Sequence, residues 1–478
     1  MAKLLGIDVG TSGTKAVLIN ESGVVLKSAN VEYPLSTPQP LWAEQDPHDW
    51  TAAAESVISQ IGESQPDAIG LTGQMHGLVA LDQMDKVLAP AILWCDQRTS
   101  KQCAQIDSVL GESSVRQTTG NAPMTGFQAP KILWLRDNRP ADFSRMRSAL
   151  LPKDYVRLAL TGEKATDVSD ASGTGLFNLK IRNWWKEGVQ ELGLDTALFP
   201  RAHESTEICA QTNGYDGLAK GIPVVAGAGD QAAAAVSTGA TEQGLVSVSM
   251  GTSGVVFAPL ATPTHDPDGS ANVFCHANGA WHVMGVMLSC GGAVKWLRET
   301  LYPGATYAEI DSDAAKIPPG AEGLSFLPYL SGERCPHNDP TATASFAGLT
   351  LTHSRAHIAR AVLEGATFGL GGCMKRLISL GISPAQVRVT GGGAASDLWM
   401  QMLADVLRLP CERVSSDSGP AVGAAVLAGV GVGVWPDLRA AAGATSTKGR
   451  VFEPSSTDYV DAVARFDRMY PALKVWKS

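Results

Sequence analysis

The tetrapeptide Gly-Thr-Ser-Gly occurs twice in this chain, at residues 10–13 and at residues 251–254. Each copy follows one apolar run and precedes another, as in GIDVGTSGTKAVL and VSVSMGTSGVVFA. This pattern predicts two β-hairpins, because apolar runs that flank a glycine-rich turn are typical of paired strands. The threonines Thr11 and Thr252 lie 241 residues apart, about half of the 478-residue chain. A period this long exceeds any solenoid repeat and indicates two similar domains.

The length of the chain supports this division, because single hydrophobic cores stop growing at about 250–300 residues. Strand-like and helix-like patterns alternate within each half, which predicts α/β domains. The segment at 240–246 is mostly small and polar and favours a boundary there. We therefore predict one domain over residues 1–242 and a second over residues 243–478, which face each other across a cleft.

The charge of the chain restricts its possible binding partners, and its cysteine content restricts its cellular compartment. The net charge of −9 argues against nonspecific binding to nucleic acid or to a membrane surface, since both need a basic face. The eight cysteines form no C-x-x-C pair, which is typical of reduced thiols in a cytosolic protein. Neither a signal-peptide pattern nor an apolar run of about 18 residues is present. We expect a cytoplasmic protein, and its assembly, as a homodimer or otherwise, stays open.

The first repeated turn carries polar groups that suit a nucleotide. Glycines allow the backbone to approach an anion closely, and the hydroxyl groups add hydrogen-bond donors. Asp8, just before the turn, would repel a bare phosphate but suits Mg²⁺, and Lys15 adds a cation. An ordinary glycine hairpin is the alternative for either turn alone, whereas two turns in matched positions favour a shared phosphate site.

A third glycine-rich element, VTGGGAASDLWMQML at 389–403, joins a predicted strand to a predicted helix. Such a junction receives phosphates at the helix N-terminus or lets adenosine lie against the backbone. The chain contains neither a G-x-x-x-x-G-K-[ST] motif nor a first-strand G-x-G-x-x-G with its downstream acid. A nucleotide-binding role would therefore use neither the P-loop nor the Rossmann fold.

Two further motifs predict a substrate site. Asp230, in PVVAGAGDQAAAAVS, follows an apolar strand and lies among small residues that leave room for a ligand. This carboxylate could accept the proton of an attacking hydroxyl group, or it could cap a helix. In GLTGQMHGLVA, the glycine-bounded residues Gln74, Met75 and His76 suit recognition of a hydroxyl-rich ligand, although a lone histidine is often structural.

Ten motifs in chain order resemble the FGGY family of carbohydrate kinases, from about residue 4 to about residue 430. They are GIDVGTSGTKAVL, GQMHGLV, ILWCDQRT, PKILWLRDN, LPKDY, GAGDQAA, SMGTSG, LPYLSGERCPHND, VTGGGAASDLWMQMLADV and GPAVGAAVLA. The resemblance implies two actin-like (ribonuclease H-like) α/β domains, a sugar-binding one followed by an ATP-binding one. Each repeated turn would then belong to the first hairpin of a domain, and the two turns would hold the ATP phosphates from opposite sides of the cleft.

The resemblance also implies a role for each matching residue. Asp230 resembles the catalytic base, Met75 and His76 match the sugar-contacting pair of the family's xylulose-phosphorylating branch, and Asp8 resembles the acid near Mg²⁺. The implied ATP-contacting residues are Thr11, Ser12, Lys15, Gly251, Thr252, Gly392 and Gly393. The implied reaction transfers a phosphoryl group from ATP to the terminal hydroxyl of the ketopentose D-xylulose and gives D-xylulose 5-phosphate.

Two residues depart from the pattern of that branch. Gln231 follows the implied base where Asn is frequent, as in glycerol kinases, and Cys95 replaces the Asn of WNDQR. Because Gln231 would adjoin the substrate, ribulose, a pentitol or glycerol stays an alternative, although glycerol kinases carry an Arg-Glu pair in the region of the QMH turn. An actin-like ATPase and a sugar sensor are the alternatives from other classes. An ATPase of that kind would have no use for the GQMHG turn.

Overall fold

A computed structural model describes residues 2–215, 217–414, 419–445 and 449–477. The strands of the first half are β1 (Leu4–Val9), β2 (Gly13–Ile19), β3 (Val25–Glu32), β4 (Glu44–Gln45), β5 (Ala68–Gly73), β6 (Val79–Leu81), β7 (Ala91–Ile92), β8 (Ser148–Leu150), β9 (Ala165–Asp167), β10 (Phe177–Asn178), β11 (Asn183–Trp184), β12 (Arg201–His203), β13 (Ile208–Asn213), β14 (Lys220–Val225) and β15 (Ala228–Gly229). Its helices are α1 (Pro47–Ile61), α2 (Ser100–Leu110), α3 (Glu112–Thr119), α4 (Gln128–Asn138), α5 (Pro140–Arg145), α6 (Pro152–Thr161), α7 (Val168–Ala171), α8 (Lys186–Glu191) and α9 (Asp230–Ser237).

The second half repeats the alternation of strands and helices. Its strands are β16 (Leu245–Met250), β17 (Gly254–Leu260), β18 (Ala271–Cys275), β19 (Trp281–Met287), β20 (Ser325–Leu327), β21 (Ser345–Ala347), β22 (Gln386–Thr390), β23 (Cys411–Arg413) and β24 (Val451–Phe452). Its helices are α10 (Gly291–Leu301), α11 (Tyr307–Ala315), α12 (Arg355–Ser379), α13 (Asp397–Leu407), α14 (Pro420–Gly431), α15 (Leu438–Thr445) and α16 (Val460–Lys477).

Each half is built on one large mixed sheet. The first has the order β13-β14-β5-β1-β2-β3, with β15 also beside β5, and the second has the order β18-β19-β17-β16-β22-β23-β24. In each sheet the first strand of the repeated hairpin pairs antiparallel with the second and parallel with a later strand. The two-domain α/β fold and the paired hairpins predicted from the sequence are thus confirmed.

The two repeated hairpins differ at their turns. In the first, Val9 lies opposite Thr14 and four residues form the connection. In the second, Met250 lies opposite Gly254, and three residues form the connection. The same tetrapeptide therefore closes two hairpins of different register, so its two copies present different groups.

Helix α1 shows how local sequence determines an element of the first domain. The side chain of Asp46 accepts a hydrogen bond from the N–H of His48, Pro47 occupies the first turn, and Gly62 ends the helix in a left-handed conformation. Trp50 and Val57 lie on its buried face. The helix is thus amphipathic and capped at both ends, and its buried face packs on β2 and β3.

Helix α14 lies in the second half of the sequence but packs on the first sheet. It contacts β1, β5 and α9, and a β-carbon on Gly70 of β5 would lie 1.9 Å from the carbonyl oxygen of Ala424. Only glycine permits this approach between strand and helix. The predicted glycine- and alanine-rich helix is thus confirmed from Pro420, while 417–418 lie outside the described residues. The domain boundary at 242/243 stays a prediction.

Buried thiols and the absence of long apolar helices complete the description. All eight cysteines are free, and five of them are buried. Within the described ranges, no helix is both long and apolar enough to cross a membrane.

Candidate active site

A cavity of about 1020 Å³ lies between the two halves of the molecule. Its lining includes Gln231 and Ala234 of α9 on one side, and Ser247, Val255 and Gly392 of the second half on the other. Ligand pockets in proteins typically have volumes of about 300–1,000 Å³, so the cavity is large enough for a nucleotide. The cleft expected from the sequence repeat is present.

The predicted adenosine turn forms one wall of this cavity. Gly392 begins a single 3₁₀ turn before α13, and no heavy atom lies within 4 Å of the place its β-carbon would occupy. Gly393 instead packs against the rings of Trp399 and the side chain of Met250. Of the two predicted glycines, Gly392 therefore faces the cavity and Gly393 supports the turn from behind.

Asp8, Lys15 and Asp230 are brought together at one edge of the first sheet. The β1–β2 register places Asp8 opposite Lys15, and β5 joins β1 to β15, which ends one residue before Asp230. Burial, and to a smaller extent the charge of Asp230, raise the pKa of the Asp8 carboxyl to about 7, and the charge of Lys15 opposes the shift. The two carboxylates are thus close enough to repel each other.

Within the described part of the chain, Asp8 has an unpaired carboxylate oxygen that could ligate a cation. Its Oδ1 atom is buried and has no hydrogen-bond partner among the described residues. No group of three or more His, Cys, Asp and Glu side chains in those residues could hold a metal ion by itself. A lone unpaired carboxylate fits Mg²⁺, which keeps several waters and takes its other ligands from substrate phosphates.

Asp230 is the first residue of α9 rather than its cap. Gly229 occupies the N-cap position, and the side chain of Asp230 extends from the first turn of the helix. Burial raises the pKa of the Asp230 carboxyl to about 6, against hydrogen bonds from Gln231 that lower it. A carboxyl group with a pKa near neutrality is suited to exchange a proton with a substrate.

The first repeated turn makes most of its side-chain contacts within its own domain. The Thr11 hydroxyl accepts a hydrogen bond from Trp94 Nε1 at 2.9 Å and donates one to Gln74 Oε1 at 3.3 Å. Gln45 Nε2 donates to the Thr11 carbonyl oxygen at 2.7 Å. Ser12 is exposed. The Thr11 side chain thus already has two partners, and neither Thr11 nor Ser12 lines the cavity.

The second repeated turn lies beside the start of α10. The N–H groups of Cys290 and Gly292 donate to the carbonyl oxygen of Thr252, and the N–H of Gly291 donates to the carbonyl oxygen of Gly251. The Thr252 side chain is exposed. The turn adjoins the cavity through Ser249 and Val255, its flanking strand residues. That the two turns hold phosphate stays a prediction.

Met75 and His76 form a compact site next to the Asp230 turn. Met75 is 4% exposed, and a β-carbon on Gly229 would lie 2.8 Å from its Cγ atom. His76 Nδ1 lies 2.6 Å from the carbonyl oxygen of Gly173. Since a carbonyl only accepts, Nδ1 carries the proton and Nε2 carries a lone pair. Burial, and to a smaller extent the charge of Lys131, lower the pKa of His76 to about 3.

Aromatic rings from both halves enclose His76. Its ring centroid lies 4.9 Å from that of Phe127 and 5.9 Å from that of Phe274 in β18. His76 Nε2 has no hydrogen-bond partner within the part of the chain that the structure describes. The neutral imidazole therefore offers one acceptor beside two aromatic rings.

Four residues contribute to the site although the sequence did not assign them a role: Lys131, Trp94, Phe127 and Phe274. Lys131 is fully buried, and its Nζ donates to the carbonyl oxygens of His76 at 2.8 Å and Gly126 at 2.6 Å. A lysine within the apolar helical run PKILWL was the signal for such a buried role. The rings of Phe127 and Phe274 gave no comparable signal, because isolated aromatic residues are common in any core.

The two departures from the expected motifs lie in different places. Gln231 follows Asp230 directly and lines the large cavity. Cys95 lines a separate surface depression with Leu35 and Trp42. A contact between Gln231 and the acceptor substrate stays a prediction.

The sequence matches two halves of one protein family. The match to the FGGY family of carbohydrate kinases, N-terminal domain, covers residues 3–237, and the match to its C-terminal domain covers residues 246–432. The chain belongs to the FGGY family of carbohydrate kinases. The expected family is thus confirmed, and this FGGY protein is a sugar kinase, in a family whose phosphate donor is ATP.

Individual relatives of this FGGY kinase cover nearly the whole chain. It is 41% identical to the xylulose kinase of Escherichia coli (strain K12) over 433 residues, which are 89% of each protein. It is 31% identical to the gluconokinase of Bacillus subtilis (strain 168) over 445 residues, 89% of this chain and 86% of that protein. The crystal structure of a xyloylose kinase from Brucella ovis is similar with a TM-score of 0.94 at 36% identity, covering 99% of this chain and all of that one.

Proposed function

We propose that this FGGY kinase transfers the γ-phosphoryl group of ATP to the terminal hydroxyl of D-xylulose. The observation that carries the proposal is the grouping of Asp230, Met75 and His76 beside a nucleotide-sized cavity. The identity to the xylulose kinase of Escherichia coli supports the choice of sugar. Membership of a carbohydrate kinase family argues against the actin-like ATPase that the sequence left open.

In the proposed reaction, the hydroxyl oxygen of the sugar attacks the γ-phosphorus of ATP and its proton passes to Asp230. The bond to the β-phosphate oxygen breaks, and ADP leaves. Asp8 would hold Mg²⁺ together with the nucleotide phosphates, and the metal ion would offset their charge. His76 Nε2 accepts a hydrogen bond from a second sugar hydroxyl, while Gly392 borders the adenosine.

A panel of acceptors tests the proposal. ADP release is measured with D-xylulose, D-ribulose, D-arabitol, D-gluconate and glycerol, and without any acceptor, and kcat/KM is compared. We expect the highest value with D-xylulose and little ADP release without an acceptor, because the cleft closes around the sugar. A tenfold or greater preference for another compound would replace D-xylulose as the substrate. Equal release without acceptor would contradict a kinase role.

Substitution of His76 by alanine is expected to raise the KM for D-xylulose about tenfold or more. The variant loses the acceptor at Nε2, and an unpaired polar group in a binding site costs about 1–3 kcal/mol. Steady-state kinetics at saturating MgATP would measure the change, and background ATP hydrolysis should stay nearly constant. The control is His203→Ala, since His203 lies in β12 and bonds to Glu207. An unchanged KM in His76→Ala would show that the histidine is only structural.

The kcat/KM for D-xylulose is expected to fall at acidic pH with an apparent pKa near 6. Asp230 must lose its proton before it can accept one, and burial raises its pKa to about 6, so the active form accumulates as pH rises. The profile is recorded between about pH 5 and about pH 8 at saturating Mg²⁺, which favours the charged form of Asp8. An acidic limb that persists unchanged in Asp230→Asn would assign the titration to another group.

A further inference from the structure

Five charged side chains form a fully buried cluster directly beneath the turn that leads to Asp230. This ionic cluster consists of Lys153, Asp154, Arg157, Asp167 and Asp170, each 0% exposed. Lys153 Nζ lies 2.7 Å from a carboxylate oxygen of Asp154, 2.9 Å from one of Asp167 and 3.2 Å from one of Asp170. Arg157 lies 3.6 Å from Asp154.

The charges of the ionic cluster balance when one carboxyl group keeps its proton. Burial raises the pKa of Asp170 well above its usual range, although Lys153 lowers it. Burial alone would lower the pKa of Lys153, but the three carboxylates together raise it. With Asp170 neutral, two cations face two anions, which is the arrangement that a buried ionic group requires. The ionic cluster is therefore a charge-compensated group of fully buried side chains next to the Asp230 turn.

The ionic cluster contacts the Asp230 turn through two residues. Arg157 donates to the carbonyl oxygens of Val225 at 2.8 Å and Ala226 at 2.5 Å. Asp167 accepts from the Ser169 hydroxyl at 2.5 Å, and the same hydroxyl oxygen accepts from the N–H of Gly229 at 3.0 Å. Because the Ser169 hydrogen is directed to Asp167, its lone pairs are oriented to Gly229.

The turn itself has little freedom on its other sides. Gly227 has a φ of 76°, and a β-carbon there would lie 1.8 Å from the carbonyl oxygen of Leu71. Met75 packs over Gly229, and β15 pairs with β5. Gly229 immediately precedes Asp230. Among the described residues, Ser169 is the one whose side chain forms a hydrogen bond with Gly229.

We propose that Ser169 is a positioning residue, which anchors the turn that holds Asp230 to the buried ionic cluster through its hydrogen bonds to Asp167 and Gly229. The proposal rests on the proposed function, in that it takes Asp230 as the base. It concerns the placement of that carboxylate against the attacking hydroxyl and not the binding of sugar or ATP. Displacements of about 1 Å in an active site can cost about 100-fold in rate.

The test is Ser169→Ala, which removes the hydrogen bond to Gly229 but leaves Asp167 two backbone N–H donors, from Ser169 and Asp170. We expect kcat for D-xylulose to fall about 10- to 100-fold, while the KM values for D-xylulose and MgATP stay within about twofold. Ser169→Cys keeps the size with a weaker donor and acceptor, and should give an intermediate kcat. It serves as the second variant should the alanine protein fold poorly.

Ser270→Ala is a matched control. Ser270 is 1% exposed, donates its hydroxyl hydrogen to the buried carboxylate of Asp266 at 2.9 Å, and donates its N–H to the same oxygen. Just before β18, Ser270 thus makes the same contacts to an aspartate that Ser169 makes to Asp167. We expect a similar change in thermal stability in Ser169→Ala and Ser270→Ala, with kcat reduced only in Ser169→Ala.

Asp230→Asn, measured in parallel, separates the two proposals. If Asp230→Asn is nearly inactive while Ser169→Ala keeps its kcat, Ser169 is not a positioning residue. If Ser270→Ala loses as much kcat as Ser169→Ala, the loss of activity reflects a general decrease in stability, and the inference is overturned. If Asp230→Asn keeps its activity, the assignment of the base itself is wrong.

Discussion

Replacement of Asp230 by asparagine is expected to lower kcat for D-xylulose by ~10²–10⁴, the usual range for loss of a general base. Asparagine has the same shape but cannot take the hydroxyl proton. Asp230 begins α9 at the edge of the cleft, and burial has already raised its pKa to about 6. Folding and nucleotide affinity should survive, because asparagine keeps the size of the side chain and one acceptor oxygen for the hydrogen bonds from Gln231. Timed assays of ADP release would measure kcat, and calorimetric titration with an ATP analogue would measure nucleotide affinity.

Asp107→Asn provides the comparison for this variant. Asp107 lies in α2, is partly buried, and its pKa is raised by burial, but it does not line the cleft cavity. We expect its kcat to equal that of the unmodified enzyme. Near-full activity in Asp230→Asn, or an equal loss in both variants, would contradict the assignment of Asp230 as base.

Replacement of Lys153 by methionine is expected to destabilise the protein by about 3–5 kcal/mol, the usual cost of breaking a buried ion pair from one side. Methionine keeps the aliphatic volume but leaves three carboxyl groups facing one arginine. Urea unfolding at about pH 7.5, followed by circular dichroism, would measure the free energy of unfolding. Lys3→Met is the matched surface change, because Lys3 pairs with Glu63 while half-exposed, and should cost less than about 1 kcal/mol.

The loss in Lys153→Met should shrink as pH falls. Without the lysine, the buried carboxyl groups of the ionic cluster lose a compensating cation, so the folded variant binds protons more tightly than the unfolded chain does. Proton uptake by the folded state then stabilises it, so the free energy of unfolding of the variant should rise relative to the unmodified protein between about pH 7.5 and about pH 5. A loss that is small, or that is independent of pH, would show that the carboxyl groups are not coupled through Lys153.

Elements with strong local patterns were predictable from the sequence. The repeated hairpins, α1, α12 and the strand–glycine–helix junction before α13 depend on apolar periodicity, caps and glycines within one short segment. Asp8 and Asp230 were identified because acids among small or apolar residues are rare. Their placement at one edge of the first sheet follows from the parallel pairing of β1, β5 and β15.

Contacts between distant segments account for what the sequence did not predict. The Thr11 hydroxyl bonds to Gln74 and Trp94, which lie 63 and 83 residues away, so no local pattern indicates that its side chain is already occupied. The ionic cluster likewise gathers residues from α6, β9 and α7. The apolar run around Lys131 indicates burial, but its partner, the carbonyl oxygen of His76, lies 55 residues away in the sequence. Such features depend on tertiary packing, which the periodicity of a single element does not contain.

The packing of α14 on the first sheet has a consequence for the order in which the chain is made. Strands β1 and β5 emerge early from a ribosome, but the helix that covers them ends only at Gly431. Synthesis proceeds at about 5–20 residues per second. The apolar face that includes Leu4 and Ala68 therefore stays uncovered for on the order of ten seconds or more, until α14 has been made. The N-terminal half therefore passes through a nascent state with an uncovered apolar face, and we expect a gene truncated before α14 to yield an aggregation-prone fragment.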